Sequence, residues 1–147
     1  MRVLLQRVAR AEVTVEGEAT GSIGPGIMAL VGVGPDDTAE VATTLAGKSC
    51  DLRIFRDDDG RTNRSLIDTG GAMLVVSQFT LYGDTRKGRR PSFIGAAPPD
   101  LAAELVEVYA DAVEARGVEV DRGRFGAEMA VELVNDGPMT IWLDSDA

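Results

Sequence analysis

Three hydrogen-bonding side chains follow an apolar run near the middle of the chain: Ser77, Gln78 and Thr80. The apolar run begins at Ala72 and predicts a buried strand that extends to Phe79. Because side chains alternate across a strand, Gln78 and Thr80 are predicted to share one face, and Ser77 and Phe79 the other. The same pattern is typical of a strand that emerges into solvent, so the rest of the chain must indicate which chemistry is available.

The chain contains no histidine and a single cysteine, Cys50. A Ser-His-Asp or Cys-His site and the usual Cys/His zinc site are therefore excluded, and no disulfide can form within the chain. Thr80 as a nucleophile lacks a histidine that would activate it. The better role for Gln78, Thr80 and the backbone amides near Phe79 is to position an ester carbonyl and stabilise its developing oxyanion. We expect no metal ion and no cofactor.

A second polar segment, Asn135-Asp136-Gly137-Pro138-Met139-Thr140, separates two predicted strands, 131–134 and 139–143. A β-turn between strands is one interpretation. Another follows from the Gly137-Pro138 bond, because a cis peptide before proline lies only about 0.5–1 kcal/mol above trans. A cis bond would fix the carbonyls of Gly137 and Pro138 in an unusual direction, where they could accept hydrogen bonds from the ammonium group of a ligand.

The net charge of −9 argues against a generic nucleic-acid binder, but the charge is unevenly distributed. Residues 1–90 carry 12 basic and 12 acidic side chains, whereas residues 91–147 carry 3 and 12. The densest basic cluster closes the neutral half and contains Arg86, Lys87, Arg89 and Arg90. It is either a solvated loop or a local contact for phosphates, which one cluster can provide on an acidic protein.

The elements that must position these segments are short apolar strands and two amphipathic helices. The first helix is predicted to begin at Asp36 and Asp37, and the second to open at Pro98 and stop at Gly117. Because strands and helices do not alternate regularly, we predict an α+β fold with a mainly antiparallel sheet, barrel-like or sandwich-like, and two long helices in a single domain, 1–147. No apolar run approaches the roughly 20 residues of a membrane span, and no signal peptide is visible. A cytoplasmic protein without a membrane partner is expected.

Together the two polar segments resemble the signature pair of the D-aminoacyl-tRNA deacylase family. The similarity runs from residue 1 to about residue 144 without a large insertion or deletion. Four other stretches are similar as well: Gln6-Arg7-Val8, Arg53-Ile54-Phe55, Arg90-Pro91-Ser92-Phe93 and Gly123-Arg124-Phe125. One departure is Met139, where the family most often has valine, and it affects local packing rather than the Gly-Pro carbonyls.

The resemblance implies the fold of that family and a homodimer with active sites at the subunit interface. It implies a substrate of D-aminoacyl-tRNA, recognised at the 3′-terminal aminoacyl-adenosine, and no role for DNA. The pocket at Ser77–Thr80 would receive Gly137-Pro138, in cis, from the other subunit. An L side chain would collide with these carbonyls and a D side chain would point outward. Glycine has no side chain to reject, so glycine attached to tRNA(Ala) is also an expected substrate.

The resemblance also extends the list of ligand-binding residues. Beside Gly137 and Pro138 it includes Asn135, Met139, Thr140, Phe125 and Arg7. Phe125 and Phe93 are candidates for packing on the adenine, with ordinary core packing as the alternative. Arg7 either braces the Gly-Pro segment or the interface, or forms a surface ion pair. The ribose 2′-OH beside the ester, held with water, is expected to replace a protein base.

Two other functions are compatible with the sequence. The cluster from Arg86 to Arg90 is compatible with an RNA-binding module that has no catalytic activity. Ser77 or Thr80 is compatible with a hydrolase of small esters or amides. A purely structural role for these hydroxyl groups is the third alternative.

Overall fold

The computed structural model describes all 147 residues and contains eight strands, three α-helices and one 3-10 helix. In chain order these are β1 (Arg2–Val15), β2 (Glu18–Ile23), β3 (Gly26–Gly32), α1 (Ala39–Asp51), β4 (Phe55–Arg56), β5 (Thr62–Arg64), α2 (Leu66–Thr69), β6 (Ala72–Ser77), the 3-10 helix (Phe79–Tyr82), α3 (Pro99–Ala115), β7 (Val120–Arg122) and β8 (Ala130–Asp144). None of the helices has the length and apolar character needed to cross a membrane.

The main sheet is built around β1, which pairs antiparallel with β8, β3 and β2. β3 continues to β6 and β6 to β7, and both of these pairs are parallel. The amide of Ser22 in β2 donates to the Asp121 side chain of β7 at 2.8 Å, so the two outer strands approach each other. The sheet is therefore nearly closed on itself.

The predicted α+β class is confirmed, but the sheet is mixed rather than mainly antiparallel. The chain reaches β6 and β7 only after passing through α1 and α3, and a crossover through a helix brings the next strand back in parallel. The two long helices have 13 and 17 residues, and the short α2 of four residues accompanies them.

Two predicted boundaries near the N-terminus are wrong. The short apolar stretches 3–6 and 13–15 of the sequence predict two separate strands, but both belong to one continuous 14-residue strand, whose register with β8 shifts between Gln6 and Arg10. The cap of α1 is Thr38, whose hydroxyl accepts from the amide of Val41 at 3.3 Å. Asp37 instead accepts from the amino group of Met1 at 2.6 Å and from the amide of Gly34 at 2.7 Å.

β6 is buried on both faces, as its apolar run predicts. Met73 and Val75 pack into the core between the sheet and the helices α1 and α3. Leu74 and Val76 point into a second cluster inside the curved sheet, with Val8, Ala11, Val13, Ile23 and Met28. Packing on both sides fixes β6 rigidly, so the polar residues at its end start from a well-defined position.

Candidate active site

The chain leaves the sheet at Ser77, two residues earlier than predicted. The amide of Gln78 donates to the carbonyl of Val31 at 2.8 Å, and the 3-10 helix starts at the next residue. The predicted strand to Phe79 is therefore wrong. Gln78 and Thr80 nevertheless lie on the same side, because the 3-10 turn brings the Gln78 amide group to the Thr80 hydroxyl, to which it donates a hydrogen bond.

Phe79 is exposed over 55% of its surface. Its ring packs edge-on against Phe93, with 5.1 Å between centroids and 77° between planes. Ser77, Gln78 and Phe79 line two neighbouring cavities, so the predicted catalytic segment forms the boundary between them.

The larger cavity has a volume of about 380 Å³ and a mostly apolar lining. Beside the catalytic segment, its walls come from α3, from the loop around Phe93 and from the loop of Phe125 and Gly126. A concave apolar space with a few polar groups at one side is the usual form of a small-ligand site. The structure therefore brings Phe93 and Phe125, the two candidates for contact with an adenine, into one cavity with Ser77, Gln78 and Phe79.

The smaller cavity has a volume of about 240 Å³ and lies on the other side of the catalytic segment. Val76, Met129 and Val131 contribute to its wall, together with Gly126. A ligand bound across Phe79 could therefore place one group in each cavity.

The segment from Asn135 to Thr140 forms a bulge inside β8 rather than a turn between two strands. Gln6 pairs with Thr140 and Val8 with Asn135, so four residues of β8 stand opposite the single residue Arg7. The Asn135 side chain stabilises the bulge by donating to the carbonyls of Arg7 and Met139 at 2.9 and 3.0 Å.

Arg7 is buried beneath this bulge, with 3% of its surface exposed. Its Nε donates to the carbonyl of Asp136 at 2.9 Å and its Nη1 to the carbonyl of Ile54 at 2.6 Å. The Asp136 carboxylate in turn forms an ion pair with Arg56 at 3.1 Å. Arg7 Nε also forms an ion pair with the Asp136 carboxylate at 3.6 Å, so the buried guanidinium combines an ion pair with the hydrogen bonds that hold the Gly-Pro segment.

The Gly137-Pro138 peptide bond is trans, so the expected cis bond is wrong. Trans is the more stable form of the peptide bond even before proline. The chain turns instead at Gly137, whose φ of 118° is one that L side chains rarely adopt. A Cβ atom at this position would overlap the Arg7 guanidinium. The bulge therefore requires glycine both for its backbone angle and for its contact with Arg7.

The two predicted site segments do not meet within one chain. No residue from Asn135 to Thr140 lines either cavity beside Phe79. A complete site that uses both segments would have to combine them from two copies of the chain.

The basic cluster lies on an exposed loop next to the larger cavity. Asp84 and Ser92 close the loop through two backbone hydrogen bonds of 2.7 and 2.9 Å, and Phe93 follows directly. Arg86 is paired with Asp84 at 2.7 Å, and its hydrogen bonds lower the pKa of that carboxyl to about 2. Lys87, Arg89 and Arg90 are exposed and form no ion pair.

Two charged residues beside these segments, Arg56 and Asp84, were not predicted from the sequence. Asp84 carries a local signal, because an aspartate two residues before a loop amide commonly accepts from it, as Asp84 does from Arg86 at 3.0 Å. Arg56 carries none, since its partner Asp136 is 80 residues away.

Comparison with known proteins assigns the chain to a family. A sequence model described as D-Tyr-tRNA(Tyr) deacylase matches residues 4–144. The D-aminoacyl-tRNA deacylase of Deinococcus deserti is 59% identical over 144 residues, which cover 98% of this chain and 99% of that protein. The chain belongs to the D-Tyr-tRNA(Tyr) deacylase family. It is accordingly an enzyme of the deacylase class.

Solved structures support the fold of this deacylase. The c-Myc DNA Unwinding Element Binding Protein superposes with a TM-score of 0.93 at 37% identity, over 100% of both chains. A probable eukaryotic D-amino acid tRNA deacylase superposes with a TM-score of 0.83 over 97% of both chains, and at 22% identity it supports the fold alone.

Substitution of Gly137 by alanine tests the contact between the bulge and Arg7. Gly137→Ala should lower the free energy of unfolding by about 1–3 kcal/mol, because the new methyl group adds overlap with Arg7 to the strain of the backbone angle. Gly60→Ala is the matched control, since Gly60 has a φ of 79° and open space around it. Equal losses for the two variants in denaturant unfolding would contradict the close contact.

Proposed function

We propose that this deacylase hydrolyses the ester bond of D-aminoacyl-tRNA, releasing the free D-amino acid and tRNA, as chiral proofreading in translation. The observation that carries the proposal is the apolar cavity bordered by Gln78 and Phe79, next to an exposed basic loop. The cavity suits the 3′-terminal adenosine and the loop suits tRNA phosphates. The names of the relatives, D-aminoacyl-tRNA deacylases, agree with this substrate. Such a substrate is charged in the cytoplasm, where we place the reaction.

The chemistry needs no protein nucleophile. Adenine occupies the larger cavity against Phe93 and Phe125, which brings the ester to Ser77–Thr80. The amides of Phe79 and Thr80 open the 3-10 helix and have no partner within it, so they can donate to the oxyanion. The neighbouring ribose 2′-OH, held with water, takes the place of a base. Thr80 and Gln78, joined by their hydrogen bond, position the ester.

A second copy of the chain supplies the remaining wall of the pocket. Gly137 and Pro138 are exposed at the surface of their own chain, and neither lines the two cavities beside Phe79. Carbonyl groups of the bulge, with Asn135, Met139 and Thr140 supporting them, meet the α-amino group in the other subunit's pocket. An L side chain collides with these carbonyls, whereas a D side chain points away from them.

Two further properties follow from this arrangement. Glycine carries no side chain for the carbonyls to reject, so glycine on tRNA(Ala) is also a substrate. Three basic side chains, Lys87, Arg89 and Arg90, contact the tRNA backbone, while Arg86 holds the loop closed through Asp84.

Hydrolysis of matched D- and L-aminoacyl-tRNA is the direct test. We expect rapid release of D-tyrosine from tRNA, release of glycine from tRNA(Ala), and loss of L-tyrosine no faster than without enzyme. Free D-tyrosine ethyl ester is the control, and it should react much more slowly because it lacks the adenosine. Equal rates for the free ester would indicate a small-ester hydrolase, and binding without hydrolysis would indicate an RNA-binding module.

Replacement of Thr80 tests whether its hydroxyl only positions the substrate. Thr80→Ala should keep kcat within about tenfold of wild type, because one hydrogen bond contributes about 0.5–1.5 kcal/mol. The kcat of Thr80→Ser, which retains the hydroxyl, should lie between those of wild type and Thr80→Ala. Single-turnover hydrolysis at saturating enzyme provides the measurement. Complete loss of hydrolysis in Thr80→Ala with unchanged tRNA binding would make the hydroxyl part of the chemistry.

Mixing two inactive variants tests the proposed contribution of a second subunit. Gly137→Ala is expected to disrupt the bulge that one subunit contributes, and Phe79→Ala is expected to disrupt the pocket of the other. A mixed dimer then contains one intact site, so refolding an equal mixture should restore about a quarter of wild-type activity. Each variant refolded alone is the control. No recovery from a mixture that sedimentation shows to be dimeric would mean that each bulge serves its own chain.

A further inference from the structure

The larger cavity has two facing walls that come from different parts of the chain. Ala102 and Val106 on α3 form one of them, and Phe125 and Gly126 in the loop after β7 form the other. The width of the cavity therefore depends on what holds this loop against α3.

One arginine connects these two walls. Arg122, the last residue of β7, forms ion pairs with three carboxylates of α3. The distances are 2.9 Å from Nε to Glu107, 2.9 Å from Nη2 to Asp111 and 2.7 Å from Nη1 to Glu114. These carboxylates lie at positions i, i+4 and i+7 and so share one face of the helix.

The ion cluster lies directly behind the cavity wall. A void of about 60 Å³ separates α3 from β7, and Arg122, Glu107, Val106 and Phe125 all line it. Val106 and Phe125 also line the larger cavity, on its opposite walls. Any change in the separation of Arg122 from α3 is therefore transmitted to both walls.

The other attachments of this loop are few. β7 has only three residues, and it pairs with β6 over Met73, Leu74 and Val75. The amide of Gly123 donates to the carbonyl of Val75 at 2.9 Å, and the Asp121 side chain of β7 accepts from the amide of Ser22 at 2.8 Å. No other ion pair joins α3 to β7 or to the loop that follows it, since the remaining one from the end of α3, Arg116 to Asp51, reaches α1.

We infer that Arg122 is a positioning residue, which sets the width of the larger cavity by holding the Phe125 loop against α3. The inference rests on the proposed function insofar as the cavity binds the adenosine of the substrate. Without the guanidinium, three carboxylates on one helix face would repel one another and the loop would lose its tie to α3. Arg122 touches neither the ester nor the proposed oxyanion site, so its loss should weaken binding rather than slow the chemical step.

Arg122→Gln is the primary variant, with Arg122→Lys as the conservative one and Arg116→Gln as the matched control. We expect Arg122→Gln to raise KM for D-aminoacyl-tRNA by about fivefold or more with kcat within about twofold, and Arg122→Lys to restore part of the affinity. Arg116→Gln also breaks an arginine ion pair of α3, but far from the cavity, and should leave KM unchanged. Amide hydrogen exchange at Gly123 and in the Phe125 loop should become faster only in the Arg122 variants.

An unchanged KM in Arg122→Gln, or the same change in Arg116→Gln, would overturn the inference. If the wild-type protein does not hydrolyse the substrate, the proposed function fails. Hydrogen exchange then tests the positioning role of Arg122 by itself, and unchanged exchange near Phe125 in Arg122→Gln would refute that role. If Arg122→Gln does not fold, Asp111→Asn removes a single partner. Asp111→Asn should change KM and the rate of amide hydrogen exchange in the same direction as Arg122→Gln, by a smaller factor. No change in either would refute the positioning role of Arg122.

Discussion

The burial of β6 on both faces is the constraint on which the rest of the site depends. Met73 and Val75 are held by the helices, and Leu74 and Val76 by the interior of the curved sheet. A strand packed in this way has no freedom to slide or rotate. The chain leaves the sheet at a fixed point, and the 3-10 helix then places Gln78 and Thr80 side by side. Rigid apolar packing thus provides the precision that a site without a histidine needs.

Two buried or partly buried arginines extend this rigidity to segments that the sheet alone would leave loose. Arg7 uses its guanidinium on backbone carbonyls below the bulge, whereas Arg122 donates from Nη1 to Glu114 and from Nη2 to Asp111 and forms a further ion pair with Glu107. A guanidinium suits both tasks because it remains charged and presents donors in several directions. Removal of Arg7 would leave the buried carbonyl of Ile54 without its partner, which costs more than the contact itself contributes.

The sequence alone predicted those features that depend on local patterns. The apolar run before Ser77 indicated a strand buried on both faces, and Pro98 and Gly117 indicated the ends of α3. Features that depend on distant partners were not predictable. β6 ends early because the chain turns into the 3-10 helix Phe79–Tyr82, and the bulge at Gly137 is held by contacts with Arg7 from the far end of the chain. The meeting of α3 carboxylates at Arg122 likewise needs the parallel pairing of β6 with β7.

The pairing of β1 with β8 has a consequence for how the protein is made. These strands join residues 2–14 to residues 130–144, so this part of the sheet has a very high contact order. A chain on the ribosome can form β1 and β3 early, but Arg7 has no Asp136 carbonyl to bind until residue 136 has been synthesised. Until then Arg7 can bind only the carbonyl of Ile54, and one edge of β1 remains open. The bulge is thus among the last parts of the molecule to fold, and it can form only when β8 has completed the sheet.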